Sequence, residues 1–292
     1  MAEASATEVA VRLADGSEKH VAENATYADV AKAIGSGLAK AAIAAKENGK
    51  VVDLFKPVIP GADVAIVTGK DDEGLEVIRH STAHILAMAV QKLWPGTQVT
   101  IGPVIENGFY YDFAFPKHVS ISETDLEKIE AEMKAIIKAD HRVAREVLER
   151  DAAVEKFRSI GEHFKVEIIE DLPESEEIGL YGMGGWFDLC RGPHVPSTKK
   201  AGAFKLTSVA GAYWRGDENK EQLTRIYGTA WANKQDLEDY LHRLEEAKKR
   251  DHRLLGKQLD LFSFHLEAPA NPFFHAKGAK LYTALQNYMR HS

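Results

Sequence analysis

The chain has 292 residues, a net charge of -7, and 45% hydrophobic and 28% charged residues, enough for two or three domains with cores of their own. The acidic balance excludes a global basic field that would attract nucleic acid, so any such binding must rest on local patches. One cysteine excludes an internal disulfide framework, the start Met1 to Ser5 has neither a basic nor an apolar run, and no apolar stretch approaches bilayer length. We therefore expect a cytoplasmic protein with no membrane partner.

From Glu8 to Leu13 apolar residues alternate, Asp15-Gly16 offers a turn, and Lys19 to Val21 can return as a second strand. Thr26 can cap a short helix carrying Val30 and Ile34 and ending at Gly35. Ala41 to Ala45, Lys50 to Asp53 and Ala62 to Val67 follow as strands, an order that reads as a small β-grasp module. Gly69 to Gly74 is a polar linker. A long helix is expected from about Leu75 to Leu93, stopped by Pro95-Gly96.

Strands are then expected at 99–101, 103–105 and 108–113, and a helix after Ser122 with Leu126, Ile129, Met133 and Ile136 on one side. Val143 to Val147 reads as a strand, Val154 and Phe157 mark a short helix, and Phe164 to Ile169 alternates like another strand. On that strand Lys165 would face water. The glycines of Leu180 to Asp188 suit a bend, and strands are expected at 203–210 and 223–228. Asn233 to about Leu255 has the composition of one charged amphipathic helix. The terminal helical pattern holds too little apolar material for a domain, so the chain reads as a fragment of a longer protein.

Two spacings carry the chemistry. His80 and His84 lie four apart on the long helix and so share a face, and Cys190 and His194 repeat that interval in a turn that Gly192 and Pro193 keep from being helical. If the fold joins them, one pocket holds three imidazoles and the only thiol. Buried structural histidines, zinc ligands and proton carriers all remain open readings. Metalloprotease chemistry is excluded, because Ser81 stands where that mechanism needs a glutamate. Cys190 as a nucleophile competes with Cys190 as a small buried apolar residue. Asp188, two residues earlier, would share its face on an extended strand. Tyr213 and Trp214 beside Arg215 could stack on a base or simply be core; Lys199-Lys200 and Lys248 to Arg250 are short basic clusters that could meet phosphate.

The runs His80-Ser81-Thr82-Ala83-His84, Gly102 to Asp112, Asp188 to His194 and Tyr213 to Asp217 closely resemble bacterial threonyl-tRNA synthetases. The resemblance covers essentially the whole chain. It implies an α+β architecture: a ubiquitin-like β-grasp (TGS) domain over 1–67, an α+β editing domain over 68–232 with a central antiparallel sheet and the His-bearing helix, a linker helix over 233–255, and the opening of a class II catalytic domain over 256–292. Phe274 and Ala276 stand where the family usually has Trp and Pro.

The resemblance implies hydrolysis of serine wrongly attached to threonine tRNA, with His80, His84, Lys165, Asp188, Cys190 and His194 lining the site. His80 and Lys165 would position or activate water, His84 and His194 would orient the ester and ribose, Asp188 would hold the amine, and Cys190 would shape the pocket. Tyr181, Arg191, Tyr213 and Arg215 are the expected tRNA or substrate contacts. The partner is the serine-charged acceptor end of tRNA(Thr). No cofactor is expected for this reaction; ATP, Mg2+, one Zn2+ and a homodimer are expected of the full-length enzyme, and a monomer is compatible with the fragment. The rival readings are an alanyl-type zinc hydrolase, with His80, His84, Cys190 and His194 on the metal, and a non-catalytic tRNA-binding module.

Overall fold

A computed structural model of the chain describes residues 8–291. It divides between Leu237 and Glu238 into two compact units. The first begins with strands β1 (Glu8–Leu13) and β2 (Glu18–Ala22), helices α1 (Tyr27–Ile34) and α2 (Ser36–Ala41), and strands β3 (Ala42–Glu47), β4 (Lys50–Asp53) and β5 (Asp63–Thr68). These five strands form one sheet in the order β2-β1-β5-β3-β4, with β1 and β5 parallel, as a β-grasp requires. The Asp29 carboxylate accepts from the Thr26 backbone N–H at 3.0 Å and so starts α1, which buries Tyr27, Val30 and Ala31. Gly35 ends α1 as expected, but its extended backbone leads straight into α2.

Helix α3 (Asp72–Leu93) follows, and most of its length is enclosed. Ile78, Ile85, Leu86 and Val90 are almost fully buried, each contributing about 1.5–3 kcal/mol relative to exposure. They share one core with Ile43, Ala44 and Val67 of the β-grasp sheet. The junction is tight: a Cβ at Gly74 would lie 1.8 Å from the Thr68 carbonyl oxygen, so Gly74→Ala would force β5 and α3 apart.

Beyond α3 come β6 (Gln98–Val99), β7 (Val104–Ile105), β8 (Gly108–Ala114), α4 (Leu126–Ala139), β9 (Val143–Leu148), α5 (Arg150–Ser159), α6 (His163–Asp171), β10 (Ile178–Met183), β11 (Trp186–Leu189), β12 (Ala203–Tyr213) and β13 (Gln222–Trp231). An antiparallel sheet runs β12-β13-β8-β6, with β7 also on β8, and a smaller one runs β11-β10-β9. The expected bend at Gly184-Gly185 is a hairpin turn joining β10 to β11, with positive φ at both residues.

The segment 164–169 corrects the sequence reading. It is helix α6, not a strand, and Lys165 is 3% exposed instead of facing water. Alternation of Phe164, Val166 and Ile168 imitates a strand, but Lys165 and Ile169 lie one helical turn apart and both turn inward.

The second unit opens inside α7 (Lys234–Lys249) and continues through α8 (His252–Gln258), β14 (Phe262–Ser263), β15 (Phe273–Phe274) and α9 (Ala276–His291). The single helix expected over 233–255 is broken at Arg250-Asp251, where the Asp251 carboxylate accepts from the Arg253 N–H at 2.8 Å and starts α8. Among the described residues no helix is long and apolar enough to cross a membrane.

Candidate active site

Helix α3 presents His80, Ser81 and His84, and the loop after β11 presents Cys190 and His194. The fold brings them together. Cys190 Sγ lies 3.1 Å from His80 Nε2 and 3.3 Å from His194 Nε2, and accepts from the Gly192 N–H at 3.2 Å. The three imidazoles pack together, edge to face for His84 and tilted for His80 on His194, with ring centroids 4.3 Å apart for His80–His194 and His84–His194 and 5.2 Å for His80–His84. The four ligand atoms all lie within 4.8 Å of one another, so in donor type and closeness these residues fit a zinc ion.

Burial sets the charge states. It pulls the His80 imidazole down to about 4 and holds His84 and His194 well below their ordinary value, so all three are neutral near pH 7. The charge of Asp188 and the backbone at Pro193 act against that lowering for His80, whose Nε2 is turned to Cys190. Burial likewise pushes the Cys190 thiol up to about 12. As a free thiol it is a poor nucleophile. His80 and Cys190 are only partly buried and form the accessible edge, whereas His84 and His194 lie inside. A cleft of about 250 Å³, lined by Ile168, Leu172, Gly179, Leu189 and Arg191, opens beside Cys190.

A second group stands behind the histidines. Lys165 Nζ from α6 is 2.6 Å from Asp188 Oδ1, Tyr111 OH donates to Asp188 Oδ2 at 2.5 Å, and Lys165 donates to Tyr111 OH at 3.1 Å. The Leu189 N–H also donates to Oδ1, and His84 Nε2 lies 3.8 Å from Oδ2. The protein thus supplies two of these contacts to Asp188 Oδ1 and the Tyr111 hydrogen bond to Oδ2.

Three contributors escaped the sequence reading. Ser81, noted there only as a missing glutamate, bonds His194 Nδ1 at 3.0 Å and accepts from the Val195 N–H. Tyr111 sits within a run of aromatics whose inward members alternation alone does not rank. Asp53, at the end of β4, accepts from the His194 N–H at 2.9 Å and from Tyr181 OH at 2.6 Å. Asp53 carries no local signal, because its partners lie 141 and 128 positions away.

Of the expected tRNA or substrate contacts, Tyr181 and Arg191 adjoin this site, whereas Tyr213 and Arg215 are not among its contacts. Tyr181 is almost fully buried, packed on His194 at 4.5 Å, because its ring closes the interface with the β-grasp sheet. Arg215 is bound to Asp171 and lies 3.2 Å from Glu167, anchoring α6, while Trp214 packs on Phe164 and Tyr213 is exposed. Arg191 lies next to Cys190, extended into solvent and 2.8 Å from Glu176.

The TGS domain matches residues 9–68, and the threonyl and alanyl tRNA synthetase second additional domain matches residues 178–227. A threonine-tRNA ligase of Burkholderia multivorans is 57% identical over 97% of the chain, which covers 44% of that protein; those of Marinobacter nauticus and Aromatoleum aromaticum are 55% and 57% identical over 96%, with 43% and 44% covered. The chain matches an N-terminal portion of threonine-tRNA ligases. It spans less than half the length of these relatives. The second additional domain match contains Tyr181, Asp188, Cys190 and His194, and the TGS match contains Asp53. The expected α+β architecture with a β-grasp domain ahead of antiparallel sheets is present among the described residues.

Proposed function

We propose that this chain hydrolyses the ester of serine misattached to tRNA(Thr), the post-transfer editing reaction of a threonine-tRNA ligase. The observation that carries the reading is the joining of His80, His84, Cys190 and His194 into one cluster with His80 at its accessible edge. Water adds to the ester carbonyl carbon, and its proton passes to His80 Nε2. Collapse breaks the bond to the terminal ribose oxygen, which takes that proton, leaving free serine and uncharged tRNA.

Lys165 uses two N–H donors on Asp188 and Tyr111, and in this reading the third meets the carbonyl oxygen as negative charge develops. In this reading Asp188 holds Lys165 through Oδ1, and Oδ2 is the oxygen that meets the substrate amine. Cys190, kept as a thiol, shapes the pocket beside the ester. Arg191, exposed at the mouth, is the group placed to meet a phosphate of the acceptor end.

Serine differs from threonine by one methyl, worth only about 1–3 kcal/mol in a pocket that must admit the larger side chain. A second, smaller hydrolytic site supplies the missing selectivity. No cofactor is needed for this reaction, and no residue is assigned to the ATP, Mg2+, Zn2+ or homodimer expected of the longer relatives. Zinc bound by His80, His84, Cys190 and His194 would supply Lewis acidity, and the same residues would then no longer be free to take a proton. The deciding experiment compares release of serine and threonine from charged tRNA(Thr) by the 292-residue chain. Release of serine at least about tenfold faster supports the reading; equal rates, or none above background, reject it.

A further inference from the structure

We propose that Asp53 of the β-grasp domain is a positioning residue of the editing site, so that the pocket is shared between two domains; this rests on the hydrolytic reading above. Asp53 is 6% exposed at the end of β4. One carboxylate oxygen takes the His194 backbone N–H, and the other takes the Tyr181 hydroxyl, whose ring lies against the His194 imidazole. The same side chain therefore fixes His194 twice, through its backbone and through the ring that packs on it.

The loop between them is held as closely. Gly192 has φ +70°, and a Cβ there would fall 2.0 Å from Tyr181 OH, so the 190–194 loop rests directly on the hydroxyl that Asp53 anchors. On its other side His194 meets Ser81 Oγ and Cys190 Sγ. Without Asp53, a buried N–H and a buried hydroxyl lose their acceptor, and the imidazole that packs against both His80 and His84 loses its backbone anchor. Arg145 and Lys56 are the cations whose field reaches the carboxylate, and neither makes a hydrogen bond to it.

The test is serine release by Asp53→Ala and Asp53→Asn in the 292-residue chain, at a temperature where circular dichroism reports the fold intact. Asparagine keeps one acceptor for the His194 N–H, whereas alanine keeps none. Expected is a kcat lowered about tenfold or more for Asp53→Ala, a KM within about twofold, and an intermediate kcat for Asp53→Asn. A residue that merely glues the domains would lower the melting temperature and leave kcat of the folded protein unchanged, and that result overturns the proposal. If Asp53→Ala does not fold, Tyr181→Phe, which removes only the hydroxyl, carries the test with the same expectation. An inactive parent chain rejects the hydrolytic reading and this inference with it; an active parent with unaffected variants rejects this inference alone.

Discussion

Lys165 Nζ lies 2.6 Å from Asp188 Oδ1, with the two side chains only 3% and 1% exposed. Removing one partner leaves a buried charge unmatched, which costs about 3–5 kcal/mol, far more than a surface pair would. Lys165→Ala is expected to lose that much in urea denaturation. The double variant Lys165→Met with Asp188→Asn should lose less than the two single losses added together. Additive losses would mean that the two groups do not act as a pair.

His84 Nδ1 is buried without a hydrogen-bond partner. Such a nitrogen weakens the fold, so its removal by His84→Leu is expected to leave the melting temperature unchanged or higher while serine release falls about a hundredfold or more. Full activity in this variant would remove His84 from the site.

Burial raises the Glu162 carboxyl from 4.5 to about 7. Its folded pKa lies above the unfolded one, so the folded state holds the extra proton and stability falls as pH rises from about 4.5 through 7. Glu162→Gln should flatten the loss of melting temperature between pH 5 and 8. An unchanged slope would show that Glu162 is not the group responsible.

The histidines act in the opposite sense. His80 titrates near 4 in the fold, with His84 and His194 also depressed, so the unfolded chain takes up more protons below about 6.5 and stability drops as pH falls. Unfolding free energies at pH 5 and pH 7 measure this. The background-corrected rate of serine release should carry no inflection near 6.5; one there would show that His80 is not held neutral.

With its thiol pushed up to about 12, Cys190 carries almost no thiolate at neutral pH. Iodoacetamide should label it at least about a hundredfold more slowly in the folded chain than in urea. Chelators should leave serine release intact, while added zinc should inhibit by taking His80 Nε2 and its neighbours. Loss of activity on chelation would mean that hydrolysis requires a bound metal.

The two half-sites were legible because a four-residue interval on a helix has a fixed geometric meaning, and His80 and His84 kept it. The β-grasp order was legible for the same reason: Val9, Val11 and the turn at Gly16 are local signals. Lys165 was misread because three apolar residues at alternate positions fit both periods over so short a segment. Tyr181 gave no sign that it was interior, since its neighbours Asp53 and His194 are distant in sequence or across a turn. Asp53 and Tyr111 matter through partners distant in sequence, and no local pattern records such pairings.

Ser81 meets His194 across 113 residues, and Asp53 meets it across 141. Closing loops of that length costs entropy before any contact repays it. During synthesis β4 and α3 leave the ribosome well before the loop that completes the pocket. The proposed hydrolysis would therefore begin only once that loop has docked, so its appearance would report the closing of the pocket.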